Sequence, residues 1–263
     1  MQRNDKSCFA PTLLVHDSVR LFDPWACVFS RSASLNFTVA GAFSNVSGRS
    51  LHFLSLTLKN SMSGFVDDRL MREGLSYEAY RTDWKRRAEA PMAGKDPSER
   101  KMTHYLRYNW ERQQTVHDTY EPSDDLREAV EALPPQVWMV ITEPWCGDSA
   151  FLLPVIAEAA ALSDDVTLRI LPRDENLDVM DRYLTGGSRS IPKWVGFAKD
   201  GDEQFEWGPR PDDAAALYAR LKEETDTKAA SVKQLIAHYE DGGWGVLEKE
   251  AMALLQKTEG SPA

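Results

Sequence analysis

The 263-residue sequence has few cysteines and no long apolar run. Its three cysteines, Cys8, Cys27 and Cys146, are too few and too widely spaced for a disulfide framework, and they suit a reducing compartment. No apolar stretch approaches the roughly 18 residues that a membrane-spanning helix needs. The apolar residues 8–15 end at His16, so they do not resemble the core of a secretory signal. We therefore predict a cytoplasmic protein without a membrane partner.

The sequence also lacks the positive charge that nucleic-acid binding requires. Its formal net charge is −10 at pH 7, whereas contacts with phosphate groups need a basic surface. The five histidines have no zinc-binding spacing, and the chain has no phosphate-binding loop, no dinucleotide-binding glycine pattern and no nucleophilic serine motif. These absences predict a protein with no nucleic-acid partner, no metal site and no cofactor.

Residues 1–61 differ in composition from the rest of the chain. They contain no glutamate, and six basic residues against three acidic ones give them a net charge of +3, whereas the remainder carries −13. No helical or strand period is sustained there. Three interpretations are a targeting or interaction extension, a small accessory sheet, and untranslated sequence upstream of a true start at Met62 or Met71. The abrupt change in composition favours the last interpretation, and a disordered extension stays open.

Residues 62–122 are predicted to form a helical N-terminal segment. A helix-start signal stands at Ser76, residues 101–118 have a second helical pattern, and residues 92–100 form a linker between the two. Side chains three or four positions apart share one face of a helix. Two such rows are expected to pack against the domain that follows: Tyr77, Tyr80 and Trp84, and Tyr105, Tyr108 and Arg112.

Residues 123–228 alternate between helical and strand patterns. Ser123 is the predicted N-cap of the first helix. Apolar runs at 136–142 and 166–171 predict buried strands, and the helical pattern between them makes these strands a parallel pair. The stretches "KWVGFA" and "EQFEWG" predict a hairpin around the turn "KDGD". Further helices are predicted at 176–184, from about Pro211, and twice within residues 229–263.

The stretch "EPWCGDSAFLLP" places Cys146 between a strand and the helix that follows it. The first turn of a helix has unpaired backbone N–H groups and the positive end of the helix dipole, and both favour a thiolate. Cysteines in this position can have pKa values of roughly 3.5–7.5, so Cys146 is a predicted nucleophile. Asp148 either opposes the thiolate through its charge or caps the helix by accepting backbone N–H bonds.

Several motifs resemble those of thioredoxin-like proteins. Trp145 to Ser149 read W-C-G-D-S where thioredoxins have W-C-x-x-C, and Pro192 stands just before a strand, where that fold has a cis proline. Together with "RDEN", "LTGG" and "WGPRP", they resemble a bacterial thioredoxin-like family with a W-C-G-D-A/S motif. The likeness covers about residues 70–225. It implies an α/β thioredoxin-like fold, a central mixed sheet flanked by helices, with helical additions at both ends.

The resemblance also implies a site and a function. Ser149 replaces the second cysteine, and a hydroxyl cannot resolve a mixed disulfide without a general base. One-thiol chemistry remains, in which Cys146 forms mixed disulfides with protein thiols or with small thiols such as glutathione. The alternative is a non-catalytic binding module, in which the backbone of Ile191 grips a peptide or protein partner. The oligomeric state stays open.

The predicted site residues fall into two groups. Those of the reacting centre are Cys146, Ser149 and Pro192. Those that contact the substrate are Trp145, Gly147, Asp148, Ile191 and Lys193. Lys193 either attracts an anionic thiol or is a solvated surface lysine. Other side chains have expected supporting roles. Arg173, Asp174 and Asn176 are expected to end a strand and cap the next helix. Trp207 is expected to pack in a turn, and Arg210 would bind a carboxylate.

Overall fold

A computed structural model describes residues 64–259. Its centre is a four-stranded sheet in the order β2-β1-β3-β4, in which β1 is parallel to β2 and antiparallel to β3, and β4 is antiparallel to β3. The strands are β1 (Gln136–Thr142), β2 (Val166–Pro172), β3 (Lys193–Ala198) and β4 (Glu203–Trp207). The predicted mixed sheet is confirmed, and the interpretations of residues 1–61 lie outside the described residues.

Eight α-helices surround this sheet within residues 64–259, apart from short turns. They are α1 (Tyr77–Ala88), α2 (Pro97–Thr119), α3 (Asp124–Glu131), α4 (Gly147–Ala160), α5 (Leu177–Met180), α6 (Asp212–Glu224), α7 (Lys228–Glu240) and α8 (Val246–Glu259). A π-helix at Phe65–Leu70 continues into a helical turn at Met71–Glu73, and 3₁₀ turns lie at Arg173–Glu175 and Gly243–Gly245. Within the described residues, no helix is both long enough and apolar enough to span a membrane.

Capping side chains explain where the N-terminal helices begin. Ser76 and Ser123 each accept a hydrogen bond from a backbone N–H of the first turn, as their positions predict. Helix α2 begins at Pro97, within the predicted linker. The reason is a capping box: Asp96 accepts bonds from the N–H groups of Ser98 and Glu99, and the Glu99 carboxylate accepts one from the N–H of Asp96.

The two faces of the sheet have separate hydrophobic cores, because strand side chains alternate between faces. Trp138 and Val140 of β1 belong to the larger core, which includes buried residues of α1 to α4, α7 and α8. Met139 and Ile141 belong to the smaller core, which the π-helix and the segment around α5 cover. Cys146 packs in this smaller core. The described residues before α1 therefore help to enclose the cysteine.

The expected packing of the aromatic rows is only partly correct. Tyr80 and Trp84 are buried, and the Trp84 Nε1–H donates to the carbonyl of Leu106 at 3.1 Å. Tyr108, in contrast, is 56% exposed, so the expectation that it packs on the core is wrong. Helix α2 turns a different face inward, the face with Leu106 and Val116, and this leaves Tyr108 on the outer face.

Candidate functional site

Cys146 is the N-cap of α4 and faces a cis proline. The loop after β1 brings the Cys146 N–H to the carbonyl of Glu143 at 3.0 Å, and the Cys146 carbonyl accepts the first bond of the helix from Ala150. The Ile191–Pro192 peptide bond is cis. The Cys146 Sγ donates a hydrogen bond to the carbonyl of Ile191 at 3.4 Å. The pairing of thiol and cis-proline loop that the sequence predicts is therefore present.

The sulfur itself lies in apolar packing. Cys146 is 2% exposed. Burial, and to a smaller extent the negative charge of Asp148, raise the pKa of its thiol to about 11, against weaker opposing effects of Ser149 and Arg210. The pKa is therefore raised, as expected if the Asp148 charge opposes the thiolate, and not depressed, as the helix start alone would favour. The N-terminal turn of α4 does favour a thiolate, but the loss of hydration outweighs it.

Asp148 lies at the centre of a buried polar network. Its carboxylate accepts two bonds from Arg210, from Nε at 2.8 Å and from Nη2 at 2.7 Å, and a third from the Tyr239 hydroxyl at 3.0 Å. Asp148 is 3% exposed. Of the two roles left open for it, the cap is not supported, because the hydrogen bonds of its carboxylate come from side chains; its negative charge raises the pKa of the thiol. The expectation that Arg210 binds a carboxylate is confirmed, with Asp148 as that carboxylate.

The "WGPRP" loop packs directly against the cis proline. Gly208 has a φ of +113°, and a Cβ at this position would lie 2.3 Å from the Pro192 carbonyl oxygen. Only glycine fits both the backbone angle and this close approach. The Gly208–Pro209 bond is a second cis peptide, which the sequence reading missed although the Gly-Pro pair was visible. This loop holds Arg210 against Asp148.

The "RDEN" stretch supports the other side of the Cys146 loop. The Arg173 guanidinium carbon lies 4.6 Å from the centre of the partly buried Trp145 ring. The Asp174 N–H donates to the buried Glu143 carboxylate at 2.8 Å. Burial raises the pKa of Glu143 to about 7. Sequence reasoning missed Glu143, whose position directly after a buried strand was the available signal.

Asn176 has the supporting role expected of this stretch, but by a different contact. Its side chain makes no cap bond to α5; its Nδ2 donates to the carbonyl of Pro172 at 2.8 Å, and its Oδ1 accepts from Arg69 at 2.9 Å.

Lys193 is neither a surface lysine nor free to attract an anion. It is 4% exposed, and its Nζ donates to Glu206 Oε1 at 2.5 Å and to the carbonyl of Gly208 at 3.3 Å. Both expectations for Lys193 are therefore wrong. The physical reason is its place at the start of β3, directly beside the strand β4 that carries Glu206. The lysine helps to fix the "WGPRP" loop.

Buried hydroxyl groups lie around the position that the second thioredoxin cysteine would occupy. Ser149 is fully buried, and Gly147 is buried as well. Ser149 favours the thiolate of Cys146 weakly, yet its Oγ has no hydrogen bond of ordinary geometry among the described residues. The hydroxyls of Tyr80 and Thr142 share this property. Within residues 64–259, no base forms a hydrogen bond with the Ser149 hydroxyl, so nothing there activates it as a nucleophile.

Comparison with known proteins finds one family model and two solved structures that are similar to this chain. Residues 96–226 match a family model described as thioredoxin. The chain contains a thioredoxin-like domain. No curated protein matches the chain. Two solved structures are similar at 15% sequence identity: an HIV epitope scaffold, with a TM-score of 0.48 over 74% of this chain and 99% of that one, and a protein of unknown function from Pseudomonas aeruginosa, with a TM-score of 0.42 over 67% and 98%.

The family match begins at Asp96, the N-cap of α2, so this helix belongs to the matched region together with the sheet. Helix α2 contacts the site directly, because the Asn109 Nδ2 donates to the carbonyl of Pro144 at 3.1 Å, one residue before Trp145. The predicted fold class, a thioredoxin-like mixed sheet with helical additions at both ends, is confirmed.

Proposed function

We propose that the thioredoxin-like domain is a binding module, which holds a peptide or protein partner beside the cis proline without redox turnover at Cys146. The state of the sulfur carries this proposal: it is buried, it donates a hydrogen bond to Ile191, and its pKa is raised to about 11. At pH 7 a thiol with this pKa is ionised in only about one molecule in 10⁴. Disulfide exchange needs the thiolate, so the reaction would be slow.

The hydrogen bond to Ile191 adds a second obstacle to redox chemistry. A thiolate has no proton to donate, so ionisation replaces a favourable contact between the sulfur and the Ile191 carbonyl with a repulsive one. The same carbonyl belongs to the residue whose backbone, by resemblance to thioredoxins, receives an incoming peptide. Because this carbonyl already accepts a hydrogen bond from the Cys146 thiol, a partner would also need contacts with the protein surface around Ile191.

Trp145 offers such a surface. It is only partly buried, and Arg173 stacks on its ring. Leu177 and Leu184 are exposed on the segment that leads to the cis proline. Partly exposed aromatic and aliphatic side chains beside a guanidinium are typical anchors for a protein partner.

Capture experiments on three forms of the full chain test the proposal. Wild-type protein, Cys146→Ala and Trp145→Ala are immobilised, and proteins from a host lysate that bind each form are compared by mass spectrometry. We expect the same partners on wild type and Cys146→Ala, and their loss on Trp145→Ala, with thermal unfolding to show that each variant is folded. Capture that disappears with the sulfur would contradict the proposal.

A second candidate function is a monothiol-disulfide oxidoreductase. Its supporting observation is the position of Cys146 at a helix N-cap, opposite a cis proline. In that reaction the Cys146 thiolate attacks oxidised glutathione, a protein–glutathione disulfide forms, and one glutathione thiolate leaves. Intact mass after incubation with oxidised glutathione separates the candidates. The binding module predicts modification of denatured protein only, whereas the oxidoreductase predicts modification of native protein at Cys146.

A further inference from the structure

The outer face of helix α2 is an exposed surface that the proposed function does not use. The inner face packs through Leu106, Gln113 and Val116, whereas Tyr108 is 56% exposed on the outer face. Among the described residues, Tyr108 has the largest exposed fraction of the large hydrophobic side chains. A tyrosine with two rotatable bonds provides contact area at a low cost in conformational entropy.

Two hollows lie on either side of Tyr108. One, of about 500 Å³, is lined by Pro97, Arg100, Lys101, His104, Tyr105 and Tyr108. The other, of about 240 Å³, has an aromatic wall formed by Phe151, Tyr239 and Trp244. The Phe151 and Tyr239 rings stack with 5.1 Å between their centres. The outer face thus combines a basic hollow with an aromatic hollow, and Tyr108 separates them.

The basic hollow carries positive charge without internal compensation. Lys101 lies 6.0 Å from the centre of the Tyr105 ring, and neither Lys101 nor Arg100 forms an ion pair within residues 64–259. In the aromatic hollow, by comparison, Arg112 is paired with Glu240 at 3.1 Å. The chain as a whole is acidic, with a net charge of −10, so this end of α2 is opposite in sign to the protein.

We infer that the outer face of α2 binds an acidic segment of another protein. Carboxylates of that segment contact Arg100 and Lys101, and an aromatic or large aliphatic side chain enters the hollow walled by Phe151, Tyr239 and Trp244. Lys101 in the basic hollow and Arg112 in the aromatic hollow are about eleven residues apart on α2, or roughly 17 Å along the helix. An extended chain covers this distance in about five residues. The bound segment therefore has its acidic residues about five positions from its anchor.

Charge argues against other occupants of this surface. The residues before position 64 carry six basic and three acidic side chains, so they would be repelled by the basic hollow. A nucleic acid has a phosphate on every nucleotide and would meet only two cations here, whereas a peptide with one or two carboxylates matches them and experiences less of the repulsion from the acidic chain. An acidic peptide with an apolar anchor matches both hollows at once.

Peptide selection on the full chain tests the inference. Random twelve-residue peptides displayed on phage are selected on the immobilised protein, and the dissociation constants of synthetic versions are measured by fluorescence anisotropy. We expect selected peptides to have Asp or Glu about five residues from Trp, Phe or Leu. Arg100→Glu/Lys101→Glu and, separately, Tyr108→Ala should each weaken their binding by about tenfold or more. Higher salt should weaken binding to the wild type.

The matched control makes the same change of charge elsewhere. Lys199→Glu/Lys233→Glu alters two exposed lysines, and it should leave peptide binding within about twofold of wild type. Cys146→Ala should bind equally well, which separates this result from the proposed function at the cis proline. If Arg100→Glu/Lys101→Glu is unfolded by circular dichroism, the Tyr108→Ala variant decides the outcome, because its change is at an exposed side chain.

Several results would overturn the inference. One is a selected set without acidic residues, or with binding that Tyr108→Ala leaves unchanged. Another is an equal loss of binding in the lysine control. An oligothymidylate that binds as tightly as the peptides would assign the surface to nucleic acid. Sedimentation that shows self-association, abolished by Arg100→Glu/Lys101→Glu, would assign it to a second copy of the chain.

Discussion

Two side chains at the start of α4 lie in opposite surroundings, although they are two residues apart. Cys146 points into the smaller core, where its thiol has a single weak hydrogen bond to Ile191. Asp148 points to the other side, where Arg210 and Tyr239 satisfy its carboxylate with three bonds. The same helix N-terminus therefore holds a thiol with little polar contact and a carboxylate whose hydrogen bonds come from a guanidinium and a hydroxyl.

The difference shows that a helix N-terminus alone does not set the charge of a group beside it. Its favourable effect is worth up to about 2 kcal/mol, whereas removing an unpaired charge from water costs more. The Arg210 guanidinium replaces the hydration that the Asp148 carboxylate loses on burial. Among the described residues, no cation forms a hydrogen bond or ion pair with the Cys146 sulfur, so the neutral thiol is favoured.

Removing the charge at position 148 should have the largest effect. Asp148→Asn leaves the mostly buried Arg210 guanidinium without its counter-charge, so we expect a loss of about 3–5 kcal/mol in the free energy of unfolding at pH 7. The same change removes a charge that raises the pKa of Cys146. Urea denaturation measures the loss of stability. The rate of Cys146 alkylation by iodoacetamide at fixed pH measures the change in the thiol pKa, and this rate should rise.

An exposed ion pair provides the control for Asp148→Asn. Arg127 and Glu131 lie one helical turn apart with 4.0 Å between their charged atoms, and both are about half exposed. Glu131→Gln should change neither stability nor alkylation appreciably. If Asp148→Asn were equally silent, the carboxylate would not be the group that holds Arg210, and the account of the network would be wrong.

The next largest effect on stability is expected at Glu143. Within the described residues, its buried carboxylate has no ion pair like the one between Asp148 and Arg210. Its pKa is raised from 4.5 to about 7, so the folded protein binds more protons than the unfolded chain between these pH values. Its contribution to stability is complete below about pH 4.5 and is lost as the pH rises through 7. Glu143→Gln should therefore be more stable than wild type by about 3 kcal/mol at pH 8, and this advantage should disappear by pH 4.5.

Unfolding midpoints of both proteins at several pH values between 4.5 and 8 measure this difference. The glutamine oxygen can still accept the Asp174 N–H, so the loop contact is preserved. A constant difference between the two proteins over the whole range would mean that Glu143 titrates normally.

The fold could be read from the sequence because its signals are local. The strand β1 is a short apolar run of mainly β-branched residues, and Ser76 and Ser123 start their helices by contacts within three residues. The start of α2 was missed because the capping box at Asp96 lies in a stretch rich in glycine and proline. The cis bond before Pro192 was predicted from the motif resemblance.

The site was harder to predict because its energetics depend on distant residues. Arg210 is 62 positions from Asp148, and Tyr239 is 91 positions from it. No local pattern announces either contact. The direction of the Cys146 pKa depends on burial by the segment around α5 and by the π-helix before α1, which only the folded chain brings together. Lys193 was misplaced for the same reason, since Glu206 reaches it only through strand pairing.

A smaller effect concerns the thiol itself. Because the pKa of Cys146 is raised from 9.0 to about 11, its contribution to stability is complete below about pH 9 and is lost as the pH rises through 11. Between pH 7 and pH 10, wild type should lose about 1.4 kcal/mol more than Cys146→Ala, which has no thiol to ionise. Denaturation of both proteins at the two pH values measures this loss. Equal losses would show that the sulfur ionises as easily in the folded protein as in the unfolded chain, and would favour the oxidoreductase.

The smallest effect on stability is expected at Arg173, whose guanidinium contacts the ring of Trp145 beside the cysteine. Arg173 stacks on the ring and also donates to the Arg189 carbonyl at 3.3 Å. Arg173→Ala should cost about 0.5–1 kcal/mol, because a cation–π contact at a partly exposed site is worth no more. Arg173→Lys keeps the charge but loses the planar stacking. Its free energy of unfolding should therefore lie between those of the wild type and Arg173→Ala. Tryptophan fluorescence during urea unfolding measures both variants. If partner capture weakens with Arg173→Ala while Cys146→Ala leaves it intact, recognition at this site depends on the stacked cation and ring, and the buried sulfur is a packing group.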